Sequence, residues 1–122
     1  MRLKQLGQSS LLVSELALGT MLFDERSDRD TPAQVARQMI DAYIDRGGNH
    51  IDTANVYGGG RSESLIGAAL TGGKRQRVIL ATKVRFGRED DHIYPGLSRR
   101  HIMIGVEDSL RRLQTDYIDL YY

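Results

Sequence analysis

Short apolar segments alternate with amphipathic helical segments along the chain, and this alternation limits the fold more than any other feature. Strand-like patterns cover residues 15–20, 50–54, 77–84 and 116–122. The helical patterns between them are long enough to carry the chain back across a sheet, as a parallel arrangement requires. The order β-α-β-α-β-α-β therefore predicts four parallel strands and three helices in an α/β fold.

A hairpin is predicted ahead of the first of these strands. Residues 3–6 and 11–13 carry the apolar side chains of two short strands, and residues 7–10 between them are turn formers. Two such strands joined by a short turn are typical of a β-hairpin. The chain is therefore expected to begin with a hairpin and to continue as βα units.

The helices have clear start and stop patterns. Thr31 before Pro32 predicts an N-cap followed by the first helical position, and the glycine pair at 47–48 predicts the end of that helix. Ser62 and Ser98 predict the starts of the second and third helices. Spacing of three and four residues predicts the buried stripes: Val35, Met39, Ala42 and Tyr43 in the first helix, Leu65, Ile66, Ala69 and Leu70 in the second, and Ile102, Val106, Leu110 and Leu113 in the third.

Composition excludes several classes of protein. A length of 122 residues predicts one domain over residues 1–122. Hydrophobic residues at 40% and charged residues at 27% exclude disordered and collagen-like chains. The net charge of +1 offers no electrostatic footprint for nucleic acid or an anionic membrane, and the lack of cysteine excludes disulfides and a catalytic thiol. Without a secretory or membrane-spanning pattern, we expect a soluble cytoplasmic protein.

Lys83 is a charged residue within the most strand-like and otherwise largely apolar segment of the chain. The apolar run of residues 77–84 is typical of a strand covered on both faces. An unpaired ammonium there would cost several kcal/mol, so Lys83 needs a partner or a polar cavity. Asp52, at the end of the preceding strand, is the natural partner, because neighbouring parallel strands lie about 4.8 Å apart.

Tyr57 follows Asp52 closely and gives this pair a chemical use. A free phenol titrates near about pH 10; a nearby ammonium favours the phenolate, and a carboxylate can hold that ammonium in place. Such a trio at the carboxyl ends of parallel strands, where barrel active sites lie, is a general acid with a tuning partner. Taken singly, however, Asp52 is better explained as a loop cap and Tyr57 as an amphipathic loop residue.

The chain resembles a known family over its whole length. Three segments carry the resemblance: residues 16–21, residues 51–63 with Asp52, Tyr57 and Glu63, and residues 81–83 with residues 113–120. In this order they resemble the aldo-keto reductases, NAD(P)H-dependent enzymes on a (β/α)8 barrel. The resemblance implies the N-terminal half of a TIM barrel, with four parallel strands, three helices and a hairpin that seals its bottom.

The resemblance also implies roles for particular residues. Tyr57 would be the general acid that protonates a carbonyl oxygen, Lys83 would tune it, and Asp52 would orient Lys83. NADPH would lie against a second group of residues: Gly19, Thr20, Met21 and Asp52. The substrate, an aldehyde or ketone, would be walled by Met21, Leu22, Phe23 and Tyr57, although ordinary rim packing explains these side chains equally well.

Part of the family's machinery is expected beyond Tyr122. The resemblance places the fourth catalytic residue, a histidine, after the last strand, and places there most of the cofactor-binding segments as well. His50, His92 and His101 do not replace that histidine by position; His92 is expected in a polar loop and His101 on a solvent-facing side of its helix. No metal site is predicted, since no histidine pair has ligand spacing with a third donor.

Two functions remain open at this stage. The first is carbonyl reduction with NADPH, impaired in a chain of this length. The second is a non-catalytic half barrel that binds a partner or a nucleotide and regulates. In either case the outer strands at residues 15–20 and 116–122 present unpaired edges, which predicts a twofold homodimer that closes the barrel.

Overall fold

The computed structural model describes residues 1–87 and 96–122 and confirms the predicted α/β half barrel. An antiparallel hairpin precedes a four-stranded parallel sheet that is covered by three α-helices. His92 lies outside the described residues. The elements are β1 (Leu3–Gln5), β2 (Leu12–Ser14), β3 (Leu18–Gly19), α1 (Ala33–Asp45), β4 (His50–Asp52), α2 (Arg61–Ala69), β5 (Ile79–Thr82), α3 (Arg99–Leu113) and β6 (Leu120–Tyr121).

The parallel sheet has the order β3-β4-β5-β6, so neighbours in sequence are neighbours in space. The register aligns one residue from each strand: Gly19, Asp52, Ala81 and Leu120. Because side chains alternate along a strand, this row shares one face, the inner face of the half barrel. Ile51 and Leu80 point the other way and are fully buried under the helices.

All four strands of the sheet are shorter than the sequence predicted, and the outer strands β3 and β6 are the shortest. Residues 15–20 and 116–122 carry strand patterns, but only two residues of each are paired in the sheet. Each of these strands has a single neighbour in the described sheet. A strand bonded on one side only is held in register by fewer ladder bonds, which explains why its ends are irregular.

The hairpin docks at the amino end of the sheet, as predicted for a segment that seals the bottom. Asn49, just before β4, accepts a hydrogen bond from the Ser14 backbone at 2.7 Å and donates one to the Leu12 carbonyl at 2.8 Å. The Tyr43 hydroxyl donates to the Leu16 carbonyl at 2.7 Å. The hairpin is therefore tied to both α1 and β4.

The buried face of α1 lies one residue away from the predicted stripe. Ala36, Ile40 and Ile44 are buried, whereas Val35 is 44% and Met39 is 41% exposed. The side chains at the centre of the contact are the two isoleucines, and the apolar residues singled out from the sequence lie along its flank. The start of α1 also differs, because Pro32 occupies the N-cap position and has no side-chain acceptor; the Glu25 carboxylate accepts from the Ala33 backbone N–H instead.

Helix α3 confirms its predicted cap and corrects its predicted face. Ser98 accepts a hydrogen bond from the backbone N–H of His101. The buried residues are His101, Gly105, Ser109 and Leu113, so His101 is buried and its predicted exposure was wrong. Small side chains allow close contact here: a Cβ on Gly105 would lie 2.8 Å from a Val84 methyl carbon.

Helices α2 and α3 touch at Gly67. A Cβ at Gly67 would lie 2.7 Å from the Arg112 carbonyl oxygen and 2.7 Å from the Leu113 carbonyl carbon, so no side chain fits. The contact therefore requires glycine for its size. None of the helices in the described part of the chain is long and apolar enough to cross a membrane.

Gly67→Ala should lower the free energy of unfolding. Overpacking against rigid backbone costs about 1–3 kcal/mol, which exceeds the gain of up to about 1 kcal/mol that alanine brings to a helix. Urea denaturation measures the difference. Gly19→Ala is the matched control, because a Cβ at Gly19 meets nothing within 4 Å; an alanine at 67 that stabilises the chain would contradict this packing.

Candidate active site

The sheet brings Asp52 and Lys83 together at its carboxyl end. Asp52 is the last residue of β4, and Lys83 directly follows β5. Since Ala81 is in register with Asp52, Lys83 lies on the same face, one step further toward the carboxyl end. The side chains of both residues are about one-third exposed, at 30% and 34%. They form a half-buried pair that faces the open inner side of the sheet.

The Lys83 ammonium has three contacts. Its Nζ donates to the Asp52 carboxylate at 2.7 Å, to the Thr53 carbonyl at 2.9 Å and to the Tyr57 hydroxyl oxygen at 3.3 Å. An ammonium has three donors and no acceptor, so all of its hydrogen bonds are satisfied. The structure thus brings together the three residues that the sequence singled out for proton chemistry.

These contacts hold Lys83 in its charged form. Burial alone lowers the pKa of Lys83, but the hydrogen bonds to Asp52 and Tyr57 and their charges outweigh burial and raise that pKa above its ordinary value. The Nζ atom also lies 5.0 Å from the centre of the Tyr57 ring. A fixed positive charge therefore stands beside the phenol oxygen at neutral pH.

A tight turn of glycines presents Tyr57. Residues Tyr57–Gly60 form a tight turn with a kink in its middle, and the Tyr57 backbone N–H donates to the Ala54 carbonyl. Gly58 and Gly60 have φ angles of 59° and 96°, a left-handed conformation that side chains disfavour. The space is also closed, because a Cβ on Gly60 would lie 2.7 Å from Arg112 Cδ. The glycines after Tyr57 therefore serve the geometry of the turn.

Asp24 supports the same turn from the loop after β3. Its side chain is 5% exposed and pairs with Arg26 at 2.6 Å and with Arg61 at 3.1 Å. Burial favours the neutral acid, but the Glu25 backbone N–H, Arg26 and Arg61 outweigh it and keep the pKa of Asp24 below its usual value. Nothing in the sequence singled out Asp24, because one of its partners, Arg61, lies far along the chain at the start of α2.

Thr20 stabilises the carboxyl end of β4 from the helix side of the sheet. Its hydroxyl donates to the Asp52 carbonyl at 2.9 Å and accepts from Ser62 at 2.9 Å, and its side chain is fully buried. Ser62 also contacts the Thr53 hydroxyl at 3.0 Å. The Thr20 side chain is therefore on the helix side of the sheet, and the residue as a whole has no exposed surface.

Glu63 lies beside these hydroxyls at the start of α2. Its carboxylate is fully buried and accepts from Thr82 Oγ1 at 2.6 Å and from Arg112 Nε at 2.6 Å. Burial, together with the charge of Glu63, raises the pKa of the nearby Tyr121 to about 12. In the sequence Glu63 stood out only as part of a motif, and nothing there pointed to its long-range pair with Arg112.

The loop after β3 contains both exposed residues at the rim of the site and a residue of the buried core. Met21 and Leu22 are 62% and 45% exposed and can line a pocket above the inner face. Phe23 is 2% exposed and belongs to the core cluster, so its predicted place on the pocket wall was wrong. A large aromatic ring gains more from full burial under α1 and α2 than from a place at the rim.

Comparison with known proteins decides the family. The sequence profile described as "Aldo/keto reductase family" matches residues 15–122. The aldo-keto reductase YhdN of Bacillus subtilis is 38% identical, over 99% of this chain and 37% of its own length. An aldo-keto reductase from Bacillus halodurans, solved in its holo form, is 44% identical with a TM-score of 0.83, over 99% of this chain and 39% of that one. The chain belongs to the aldo/keto reductase family.

Similarity extends to relatives with a different name. A probable voltage-gated potassium channel subunit beta from Oryza sativa is 38% identical over 100% of this chain and 37% of its own length. This aldo/keto reductase chain thus spans little more than a third of the curated relatives that it matches. The histidine predicted beyond Tyr122 stays a prediction.

Among the described residues, His50 and His101 of this aldo/keto reductase chain stand apart from the trio. His50 begins β4, at the amino end of the sheet, and His101 is buried in the first turn of α3. Within residues 1–87 and 96–122, no group of three histidine, aspartate or glutamate side chains is close enough to hold a metal ion.

The contribution of Lys83 to stability should depend on pH in one direction. Because folding raises the pKa of Lys83, its contribution is complete below the unfolded value of about 10.4 and is lost as pH rises through the folded value. We expect wild type to lose stability relative to both Lys83→Met and Lys83→Arg above about pH 10.4, since neither replacement titrates there. Urea denaturation over this range measures the difference, and a wild-type advantage that grows with pH would contradict it.

Proposed function

We propose that this site reduces aldehydes and ketones to alcohols with NADPH, with Tyr57 as the proton donor. One observation carries the proposal: Lys83 can only donate, so at 3.3 Å the Tyr57 oxygen is the acceptor. The phenol proton is therefore not used in that contact. None of the described residues accepts the phenol proton, so that proton is available to a substrate oxygen on the open face.

Each residue of the trio then has a step to perform. Tyr57 Oη gives its proton to the carbonyl oxygen while the carbonyl carbon becomes tetrahedral, and the products are an alcohol and a phenolate. Lys83 stabilises that phenolate with a charge-assisted hydrogen bond. Asp52 accepts from Lys83 at 2.7 Å and holds the ammonium in reach of the phenol. Solvent returns the proton to Tyr57.

The inner face has room for a nicotinamide cofactor. Gly19, in register with Asp52, leaves open space where a Cβ would project. Asp52 and Lys83 are both partly exposed on that face, so a flat ring could lie beside them. A reduced nicotinamide supplies a hydride to the carbonyl carbon when bound. Gly19, Met21 and Asp52 are the residues of this chain that would contact it, with Thr20 buried behind them.

Apolar residues are exposed at the rim of the site, which favours a carbonyl substrate with an apolar substituent. Met21, Leu22 and Phe86 are exposed at the carboxyl end, on the loops that follow β3 and β5. The Asn55 side chain donates to the Phe86 carbonyl at 3.1 Å and joins the β4 and β5 loops. We place this small-molecule reaction in the cytoplasm.

Tyr57→Phe should remove most carbonyl reduction. The ring keeps its shape but loses the proton donor, and general acid catalysis contributes roughly 10²- to 10⁴-fold. NADPH oxidation in the presence of an aromatic aldehyde measures the rate. Tyr122→Phe is the matched control, because Tyr122 is an exposed tyrosine of the inner row that lacks the lysine contact. A Tyr57→Phe chain as active as wild type would overturn the assignment.

A regulatory half barrel is the second candidate, supported by similarity to the potassium channel subunit from rice. NADPH fluorescence followed by turnover separates the two. Binding that Gly19→Trp abolishes, since the added ring fills the space beside Asp52, locates the nucleotide, and NADPH oxidation with an aldehyde then separates the reductase from a barrel that only binds nucleotide. Wild type that leaves NADPH fluorescence unchanged at millimolar protein leaves only a binding role without chemistry.

We also propose that the 122-residue polypeptide, produced alone, closes its half barrel with a second copy. In the described sheet, β3 and β6 each have one neighbour, so both edges carry unpaired backbone groups. A twofold axis along the barrel would pair β6 of each copy with β3 of the other and give eight parallel strands.

One chain has a mass of 13.7 kDa, and light scattering at micromolar concentrations should therefore give twice that mass. The pairing has a physical reason, because closure removes both exposed edges at once. A folded monomer at the same concentration, shown by its circular dichroism, would contradict the pairing.

A further inference from the structure

We propose that the buried Glu63–Arg112 pair is a positioning device that sets the distance between Lys83 and Tyr57. The inference rests on the proposed function, in which that distance matters for proton transfer. Neither residue reaches the inner face, and neither has a part in the reaction as derived above. Their effect would pass through the elements that they join.

The first connection runs to β5. Glu63 accepts from the Thr82 hydroxyl at 2.6 Å, and Thr82 directly precedes Lys83 in the chain. Side chains alternate along a strand, so Thr82 points to the helices while Lys83 points to the open face. Because Glu63 binds Thr82 on the helix side of the sheet, it also restrains the position of the Lys83 backbone.

The second connection runs to the turn that carries Tyr57. Arg112 donates from Nε to the other Glu63 oxygen at 2.6 Å, and its side chain passes so close to Gly60 that a Cβ there would lie 2.7 Å from Arg112 Cδ. Gly60 ends the turn that begins at Tyr57. The same ion pair thus touches both sides of the Lys83–Tyr57 contact.

A carboxylate suits this role because it cannot easily give up either contact. Glu63 is fully buried, and each of its oxygens has one strong partner at 2.6 Å. Movement of β5 or of the turn would leave a charge unpaired away from water, which is strongly unfavourable. An apolar contact of the same volume would tolerate small shifts, so the ion pair adds directional restraint that packing alone lacks.

The opposite end of the sheet offers a matched control. Arg75 pairs with Asp119 at 2.8 Å, and Asp119 also accepts from the Leu80 backbone at 2.8 Å. This pair is nearly as buried and also joins a strand to its surroundings. It contacts neither Thr82 nor the Tyr57 turn in the described structure, so its loss should affect stability alone.

The test uses the lysine resonances of the chain. Lys4, Lys74 and Lys83 are its three lysines, so labelled side chains give three signals, and Lys83→Arg assigns one of them. In Glu63→Gln and in Thr82→Val the Lys83 titration midpoint should fall toward its ordinary value by at least about 0.3 units, a twofold change in proton affinity, because its bonds to Asp52 and Tyr57 loosen. Lys4 and Lys74 should not move.

Each variant has its purpose. Thr82→Val keeps the volume and every charge, so a shift there cannot come from a lost Coulomb interaction, and it decides the matter if Glu63→Gln fails to fold. Asp119→Asn should lose stability yet leave the Lys83 midpoint in place. A Lys83 signal that stays unchanged in Thr82→Val, or moves equally in Asp119→Asn, would overturn the proposal.

The readout needs neither cofactor nor turnover, so it is separate from the reductase assignment. If Tyr57→Phe keeps full activity while Thr82→Val still moves Lys83, the restraint stands and the proposed reaction fails. Where turnover is measured, Thr82→Val should lower kcat severalfold and leave KM for the carbonyl nearly unchanged, because substrate binding does not depend on the restraint.

Discussion

A lysine ammonium and a glutamate carboxylate lie on opposite faces of the sheet at its carboxyl end, and each is bound by residues from more than one element. The Lys83 ammonium reaches Asp52, Thr53 and Tyr57 on the inner side. The Glu63 carboxylate reaches Thr82 and Arg112 on the helix side. Because residues 82 and 83 are neighbours in one strand, these two sets of contacts share a backbone. Breaking a buried pair by removing one partner typically costs about 3–5 kcal/mol, so the strand end has little freedom to move.

The inner set could be predicted from the sequence, and the outer set could not. A lysine in an apolar strand demands an anionic partner, and the preceding strand of a parallel sheet offers Asp52 at the matching height. The outer set involves a long-range pair between α2 and α3, 49 residues apart in sequence. Threonine is favoured in strands for its branched shape alone, so Thr82 gives no sign of a buried carboxylate.

The helices show a related limit. Hydrophobicity identified α1 and α3 correctly but placed their buried faces one residue away, because the closest contacts use small or polar residues. Gly105 and Ser109 are buried in α3, and the missing side chain at Gly105 lets the helix approach Val84 and Tyr121 closely. Large apolar residues then fill the flanks, where there is more room. Periodicity thus predicts that a helix packs on the sheet, and the size of its residues decides which line of the helix touches it.

The inner face is less apolar than a sequence of alternating strands suggests. The aligned row of Gly19, Asp52, Ala81 and Leu120 contains one large apolar side chain. A barrel interior filled by branched apolar residues would leave no space for a ring beside Asp52. The small residues at this level therefore keep the carboxyl end open, while buried apolar residues such as Ile51 and Leu80 stabilise the other face of the same strands. Stability and access are divided between the two faces of one sheet, which allows a polar site to exist without a gap in the core.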